Sequence, residues 1–286
     1  MATSLDERGL VMQSGKTTDL SSLKSNGYVL YKKFFDPQLL DQIRLDAKHI
    51  FLYQFQQKNI KINSIENEAE FEHAIVELFN HHQQSYLNAS KACQHLVSLH
   101  RLSLSENIIQ RLRGFNMVFP NICTRPVIYF NKKTLAKSEG FYKTPPHQDW
   151  RSMQGSLNAM VVWIPLVDIN KELGALEVIP GSHLRGLLDS KKHEWYRELN
   201  DVDSNEFVSI TVEKGDALFF SAFLIHQSGN NITDSSRWSC HFRYNDMNEK
   251  TYIEHNYPNP YLYQPVQDLL VENFPTKQQV EKIFEI

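Results

Sequence analysis

Two patterns of apolar residues divide the chain near Gly114. Before that point, apolar positions recur every three or four residues, as in Leu40 with Ile43 and Phe71 with Ile75. This spacing predicts amphipathic helices over about 36–113. Asp36 and Pro37 have the residue types that favour an N-cap and a first helical position. We expect this segment to form a scaffold of helices.

After Gly114 the apolar residues come in short runs that turn residues separate, such as Pro180-Gly181-Ser182 and Lys214-Gly215-Asp216. This pattern is typical of strands. The predicted strands are Phe115–Phe119, Arg125–Asn131, Leu157–Pro165, Ala175–Ile179, Phe207–Val212, Ala217–Ala222 and Arg237–Tyr244. Many short strands after a helical segment indicate a mainly β fold with α elements, a jelly roll of two antiparallel sheets with the N-terminal helices packed on one of them.

The domain organisation follows from the same boundaries. We expect a flexible leader over 1–18 and one domain over 19–286, with helices over about 36–113, the jelly roll over about 115–245 and an extension over 246–286. The chain of 286 residues is long for one domain, but sandwiches and barrels often reach this length.

Composition limits the possible partners. The net charge of −3 provides no basic surface for nucleic acid, and the longest apolar stretch, 160–167, is too short for a membrane span. Cys93, Cys123 and Cys240 share no metal-ligand spacing, and the polar N-terminus lacks the apolar segment of a signal peptide. We therefore expect a cytoplasmic protein with reduced thiols, a small-molecule substrate, and no membrane or nucleic-acid partner.

The candidate chemistry is a His-X-Asp pair, His147 and Asp149, with His226 77 residues further on. Residues i and i+2 of a strand point to the same side, so His147 and Asp149 could share a metal ion. Two imidazoles and one carboxylate form the facial triad of non-haem Fe(II) sites, with positions left for a 2-oxo acid and O2. A His-X-Asp pair alone arises by chance among 12 histidines and 33 acidic residues. The apolar strand that leads to His226 strengthens the metal hypothesis.

An arginine that follows the second histidine is a candidate for binding 2-oxoglutarate. Arg237 lies 11 residues after His226 and opens an alternating stretch, and its planar guanidinium matches the far carboxylate of 2-oxoglutarate. Ser228 could donate a hydroxyl hydrogen bond to the same carboxylate. Arg243 is six residues from Arg237 and shares its strand face, so periodicity alone leaves both arginines as candidates.

Together these segments resemble the phytanoyl-CoA dioxygenase-like family of Fe(II)/2-oxoglutarate oxygenases. The resemblance runs from about 25 to about 245 in the order and near the spacing of the family. The matching pieces are Gly27–Leu30, Phe34–Pro37, His147–Asp149, Trp163–Leu166, Gly174–His183, Gly215-Asp216, His226–Ser228 and Arg237.

The resemblance implies a double-stranded β-helix, an Fe(II) cofactor held by His147, Asp149 and His226, and 2-oxoglutarate and O2 as co-substrates. It favours Arg237 over Arg243 for 2-oxoglutarate and adds Gln148 and Trp163 to the wall of that pocket. For Trp163, a place in the apolar core is nearly as good an interpretation. The acidic ligand Asp149 disfavours the halogenating branch, which leaves hydroxylation or a related oxidation such as desaturation or ring formation.

The substrate is expected near the segment after Asp149, where Trp150, Arg151, Met153 and Asn158 are candidates for contact. This mixture favours a small polar metabolite, such as an alkaloid or other natural-product intermediate, a modified amino acid or a sugar. An acyl-CoA substrate is the alternative within the family, although the lysine pairs at 132–133 and 191–192 are typical of solvated turns.

Two other classes of protein could use the same fold. One is a metal-dependent hydrolase or isomerase with Zn or Mn, which would need no anchor such as Arg237 and Ser228 for a dicarboxylate. The other is a non-catalytic binding module, which would be expected to have lost at least one of the three metal ligands.

Overall fold

The computed structural model describes residues 16–135, 144–192, 197–199, 202–258, 269 and 271–284. Most of the expected leader lies outside these residues, and 16–18 begin the first helix. Within the described residues, no helix combines the length and the apolar character that a membrane crossing requires.

Among the described residues, six helices precede Pro120. Five of them lie in the segment where the periodicity predicts helices, and the first lies before that segment. The six are α1 (Lys16–Asn26), α2 (Pro37–Gln57), α3 (Glu68–His81), α4 (Gln83–Cys93), α5 (Val97–Ser103) and α6 (Glu106–Gly114). The side chain of Asp36 accepts a hydrogen bond from the backbone N–H of Gln38, and Pro37 begins α2, as the sequence predicts. The buried residues of α2 include Leu40, Ile43 and Ala47, which form one stripe along the helix.

A six-stranded antiparallel sheet lies next to the helices. Its strands are β1 (Tyr28–Tyr31), β2 (Pro120–Ile122), β3 (Val127–Asn131), β4 (Met160–Pro165), β9 (Ala217–Ser221) and β11 (Arg237–Asp246). They pair in the order β1-β9-β4-β11-β2, and β3 also pairs with β11. The long strand β11 therefore contacts β4 on one side and both β2 and β3 on the other.

A smaller antiparallel sheet contains β5 (Leu176–Val178), β8 (Val208–Ile210) and β10 (His226–Ser228), in the order β10-β5-β8. A separate hairpin pairs β6 (Ser190–Lys192) with β7 (Arg197–Leu199). The remaining helices are α7 (Trp150–Met153), α8 (Lys250–Glu254) and α9 (Lys277–Phe284). Short 3-10 turns occur at Lys133–Leu135, Ser182–Arg185 and Ser204–Glu206.

The two faces of the large sheet belong to different hydrophobic clusters. Side chains such as Val162, Phe219 and Trp238 pack with the helices. The alternate residues Val161 and Phe220 pack instead with apolar residues of the small sheet. The helices thus cover one face of the large sheet, and the small sheet covers the other.

One predicted strand is wrong. Phe115–Phe119 is not a strand, because α6 ends at Gly114 and Asn116 has a φ of +65°, which turns the chain before β2 begins at Pro120. The other six predicted strands are present with shorter or slightly shifted ends, namely β3, β4, β5, β8, β9 and β11. The C-terminal extension contains α9, whose Phe284 ring lies against His183.

Candidate metal and co-substrate site

The two histidines are held side by side by the backbone. His147 and His226 exchange backbone hydrogen bonds of 3.0 and 3.1 Å, and their ring centroids are 4.1 Å apart. The interpretation of His147 and Asp149 as residues of one strand is wrong in detail. His147 forms an isolated bridge, whereas Asp149 has helical dihedral angles and is the N-cap residue of α7. A bridge followed by a helical turn nevertheless brings the two side chains together.

Backbone carbonyls determine which nitrogen of each imidazole is available. The Nδ1 of His147 is 2.8 Å from the carbonyl oxygen of Pro145, and the Nδ1 of His226 is 2.9 Å from that of Leu224. Because a carbonyl oxygen can only accept, both Nδ1 atoms carry the proton and both Nε2 atoms keep a lone pair. Metal-binding histidines are oriented in this way.

Asp149 completes a cluster of three ligand atoms, which lie within 4.8 Å of one another. Its Oδ1 is 3.9 Å from Nε2 of His147, and its Oδ2 is 3.8 Å from Nε2 of His226. The buried Asp149 also accepts a 2.8 Å hydrogen bond from Nη2 of Arg243. Two neutral nitrogens and one carboxylate are a donor set that suits non-haem Fe(II), so these residues fit the metal that the sequence implies.

The electrostatics of the cluster keep all three ligands in the state that binds a metal ion. Burial alone would raise the pKa of Asp149, but the nearby Arg243 and then the imidazoles hold it well below its usual range. Burial also lowers the pKa of His147, and it lowers that of His226 to about 3. At neutral pH the site therefore contains one carboxylate and two neutral imidazoles.

Arg237 and Ser228 contact each other in the wall of the cavity that contains the three ligands. Both are buried, and Nη2 of Arg237 donates to Oγ of Ser228 at 3.2 Å, while Nη1 donates to the carbonyl of Gly174. Gly174 has a φ of +82°, and a Cβ there would lie 2.8 Å from the carbonyl oxygen of Gly229, so this close approach requires glycine.

The guanidinium of Arg237 has one N–H donor that no residue described by the structure accepts from. Its buried Nε has no hydrogen-bond partner there. Burial lowers the pKa of Arg237 to about 10, which still leaves it charged at neutral pH. A buried cation with a spare donor, next to a serine hydroxyl, fits the carboxylate of 2-oxoglutarate.

The two arginines of β11 therefore have different neighbours. Arg237 faces Ser228, and Arg243 faces Asp149. They lie on the same strand face, as the spacing of six predicts, since both side chains line the same cavity.

We expect Arg243→Met to weaken metal binding about tenfold, since a hydrogen bond that orients a ligand typically contributes tenfold to a hundredfold in metal affinity. Competition with a chromogenic chelator for Co(II) measures this change. Arg243→Lys should recover part of the loss because it keeps the charge. Arg113→Met, at an exposed arginine that faces Glu106, is the control. Unchanged or tighter binding by Arg243→Met would contradict the orienting role.

The structure places Trp163 and Gln148 in the wall of the same cavity. Trp163 lies on β4 opposite His241 of β11. The amide of Gln148 is engaged by the backbone. It donates to the carbonyls of Gly186 and Phe223 and accepts from the N–H of Leu188, so its hydrogen bonds hold these segments together around the site.

Of the four substrate candidates, only Arg151 is among the described residues that line the cavity. Trp150 is buried against Phe223, and Met153 is also buried, because the helical turn of α7 directs both into the core. Asn158 donates to Asp246, outside the cavity. The positions of these three residues do not support the predicted substrate contacts.

Sequence reasoning missed other residues of the cavity wall. Arg125 and Tyr129 enter from β3 and the segment before it, and His241 enters from β11 between the two arginines. For His241 a signal was present, since it is two residues from Arg243 in an alternating strand. Burial, followed by the charge of Arg243, holds the pKa of His241 well below its ordinary value, so this imidazole is neutral.

Comparisons with known proteins point to one family. A model of the family described as phytanoyl-CoA dioxygenase (PhyH) matches residues 23–239. Peroxisomal phytanoyl-CoA dioxygenase of Mus musculus is 34% identical over 114 residues, 36% of this chain and 34% of that protein. The 1-deoxypentalenic acid 11-beta-hydroxylase of Streptomyces exfoliatus is 26% identical over 133 residues, 41% of this chain and 47% of that protein. The match thus spans between about a third and a half of these relatives.

Solved structures with the same fold have lower sequence identity. The epimerase SnoN, in complex with Fe3+, alpha ketoglutarate and nogalamycin RO, is 18% identical with a TM-score of 0.56, over 91% of this chain and 94% of that chain. The carbocyclase SnoK from nogalamycin biosynthesis is 18% identical with a TM-score of 0.55, over 92% and 97%. At this identity the likeness concerns the fold alone.

Proposed function

Because this chain belongs to the phytanoyl-CoA dioxygenase (PhyH) family, we propose that it is an Fe(II)- and 2-oxoglutarate-dependent dioxygenase that hydroxylates a small molecule. The observation that carries the proposal is the cluster of His147, Asp149 and His226, in which both imidazoles present Nε2 to a common point. A chance His-X-Asp pair would not have this shared tautomer.

The proposal includes the architecture. The helix-covered large sheet and the small sheet facing it form a double-stranded β-helix, and residues 19–286 make up one domain. The likeness in fold to SnoN over 91% of the chain supports this description. The packing of Val161 and Phe220 against the small sheet supports a single core between the sheets.

We assign the roles as follows. His147, Asp149 and His226 hold the metal ion, and Arg237 with Ser228 binds the far carboxylate of 2-oxoglutarate, with Trp163 and Gln148 in the wall. When bound, Fe(II) with 2-oxoglutarate supplies the activation of O2, so that one oxygen atom enters a substrate C–H bond and the other enters succinate as CO2 leaves. The residues of the chain orient the ligands, compensate the charge of the co-substrate and exclude water.

For the substrate we propose a small polar metabolite, and an acyl-CoA is the alternative. The relatives support each possibility, because one is named for phytanoyl-CoA, one for 1-deoxypentalenic acid and another, from Gimesia maris, for methylphosphonate. Asp149 supports hydroxylation or a related oxidation over halogenation, since its carboxylate occupies the position that a halide would need.

Anaerobic titration of Fe(II) and 2-oxoglutarate into the metal-free protein tests the proposal. We expect a weak visible charge-transfer band that requires both additions, because only a chelated 2-oxo acid produces it. His226→Ala should abolish the band, whereas His95→Ala, at an exposed histidine outside the cavity, should keep it.

A protein that binds Fe(II) but gives no band with 2-oxoglutarate would refute the oxygenase proposal. Such a result would favour a hydrolase, an isomerase or a non-catalytic metal-binding module. A band that survives His226→Ala would refute the assignment of that ligand.

A further inference from the structure

A further imidazole lies beside the metal cluster without belonging to it. His241 lines the cavity that contains the three ligands. Among the described residues, the side chains that could share a metal ion are His147, Asp149 and His226, and His241 is not one of them. Its ring nevertheless interacts electrostatically with each of the three. His241 is therefore close to the metal position but outside the ligand set.

Strand pairing determines where His241 lies across the large sheet. It stands opposite Trp163 of β4 on one side and Val127 of β3 on the other. Directly opposite residues of paired strands point to the same face, and all three side chains line the cavity. The ring of Tyr129, also in the cavity wall, is centred 6.0 Å from that of His241.

Along β11, His241 lies between the two arginines. Arg237 comes four residues before it and Arg243 two residues after it, which corresponds to about 13 Å and about 7 Å of extended strand. Arg237 contacts Ser228, whereas Arg243 contacts Asp149. A molecule that extends from Arg237 to the metal position therefore passes along the strand face that carries His241, with this residue near its metal end.

Strand β10 shows the same direction from the opposite wall. His226 and Ser228 are both buried and two residues apart, about 7 Å along the strand, so their side chains share one face. Ser228 contacts Arg237, and His226 belongs to the metal cluster. A five-carbon dicarboxylate is long enough to connect these two positions.

The imidazole of His241 has hydrogen-bonding groups that the described residues do not use. Neither ring nitrogen has a hydrogen-bond partner among them. Because burial and then Arg243 hold the pKa of His241 well below its ordinary value, the ring is neutral, with one N–H donor and one lone pair. Polar groups in such sites are normally paired, so a bound molecule is the expected partner.

We propose that His241 donates its N–H to the carboxylate of 2-oxoglutarate that chelates the metal ion, and so positions the chelating end of the co-substrate. The inference rests on the proposed oxygenase function and adds a residue to its co-substrate site. Arg237 holds the far carboxylate, and His241 holds the near one. A neutral donor suits this place, because Arg243 and the metal ion already supply positive charge beside Asp149. Hydrogen bonds to an ionised acceptor are stronger than those between neutral groups.

Two 2-oxo acids that differ in the far carboxylate test the assignment. 2-Oxoglutarate has both carboxylates, and 2-oxobutyrate has only the chelating one. Each acid is titrated anaerobically into the Fe(II)-loaded protein, and the charge-transfer band reports binding. We expect His241→Leu to weaken both acids about tenfold, as the loss of a hydrogen bond to a charged group implies. Arg237→Met should weaken 2-oxoglutarate alone.

The position of the band is a second readout, which does not depend on affinity. A hydrogen bond to the chelating carboxylate stabilises the orbital of the 2-oxo acid that receives the electron. At saturation, the band of His241→Leu should therefore lie at shorter wavelength than that of the unaltered protein. His241→Asn or His241→Gln, which place an amide N–H near Nδ1 or Nε2, should restore part of both properties. His95→Leu, at an exposed histidine outside the cavity, should change neither.

Three outcomes would overturn the inference: unchanged affinity for both acids in His241→Leu, a loss confined to 2-oxoglutarate, or an unchanged band position at saturation. A comparable loss of Co(II) affinity, measured by competition with a chelator, would also overturn it, because His241 would then act on the ligands or on the fold. If 2-oxobutyrate gives no band with the unaltered protein, the band position with 2-oxoglutarate decides.

The band separates the two levels of the argument. Absence of the band in the unaltered protein with 2-oxoglutarate refutes the oxygenase function and this inference with it. A band that is present but insensitive to His241→Leu refutes the role of His241 alone.

Discussion

Asp149→Ala is expected to abolish succinate release and to weaken Fe(II) binding by more than about a hundredfold, beyond the range typical of an outer hydrogen bond. The substitution removes the only negatively charged ligand and leaves two neutral imidazoles. Metal affinity measured by competition with a chelator, together with succinate release, tests this. Full activity in Asp149→Ala would eliminate the ligand assignment.

The same substitution has a structural cost that needs its own control. Asp149 and Arg243 are a largely buried pair, with side-chain exposures of 5% and 13%. Removal of one partner from such a pair costs up to about 3 kcal/mol of unfolding free energy, because the other charge stays buried. The double variant Asp149→Ala/Arg243→Met should recover stability in urea but no metal binding. Recovery of both would show that the loss of activity came from misfolding.

Arg237→Met is expected to raise the KM for 2-oxoglutarate by about thirtyfold or more and to leave Fe(II) affinity nearly unchanged. Truncation of a buried charged partner costs about 2–5 kcal/mol in binding, and the arginine contributes both charge and a matched pair of donors. Arg237→Lys should be intermediate since it keeps the charge but loses the planar geometry. Ser228→Ala should have a smaller effect.

Succinate release at varied 2-oxoglutarate concentration measures the KM of each variant. Competition with a chelator measures its Fe(II) affinity as the control. An unchanged KM in Arg237→Met would transfer the co-substrate role to Arg243. An equal loss of metal and co-substrate binding would indicate a general disturbance of β11 instead.

The match over residues 23–239 confirms the family resemblance. Elements with clear periodicity could be predicted from residues that lie close together in the sequence. Asp36 and Pro37 predicted the start of α2 because capping depends on residues next to each other. The shared face of Arg237 and Arg243 followed from the two-residue period of a strand. Such features need no knowledge of distant parts of the chain.

The errors came where the backbone changes direction. The segment from His147 to Asp149 passes from an isolated bridge to a helix, and a strand pattern could not show this change. Trp150 and Met153 are candidates for substrate contact on the sequence alone, although a spacing of three residues between large apolar side chains is also typical of a buried helix face. The partner of Arg243 could not be predicted, because the two residues are 94 positions apart in the chain.

The two faces of β11 constrain how this protein can evolve. Odd-numbered residues from Arg237 to Arg243 face the cavity, while Trp238 stacks on Phe130 at 4.7 Å and belongs with Phe242 to the helix-side cluster. An insertion or deletion of one residue within the strand would exchange these faces and bury the arginines beneath the helices. Descendants of this sequence can therefore vary β11 by substitution only. Strands β6 and β7 pair with each other and not with the other two sheets, and both contribute residues to the cavity wall, so changes in substrate range are expected to accumulate there rather than in the strand that carries both arginines.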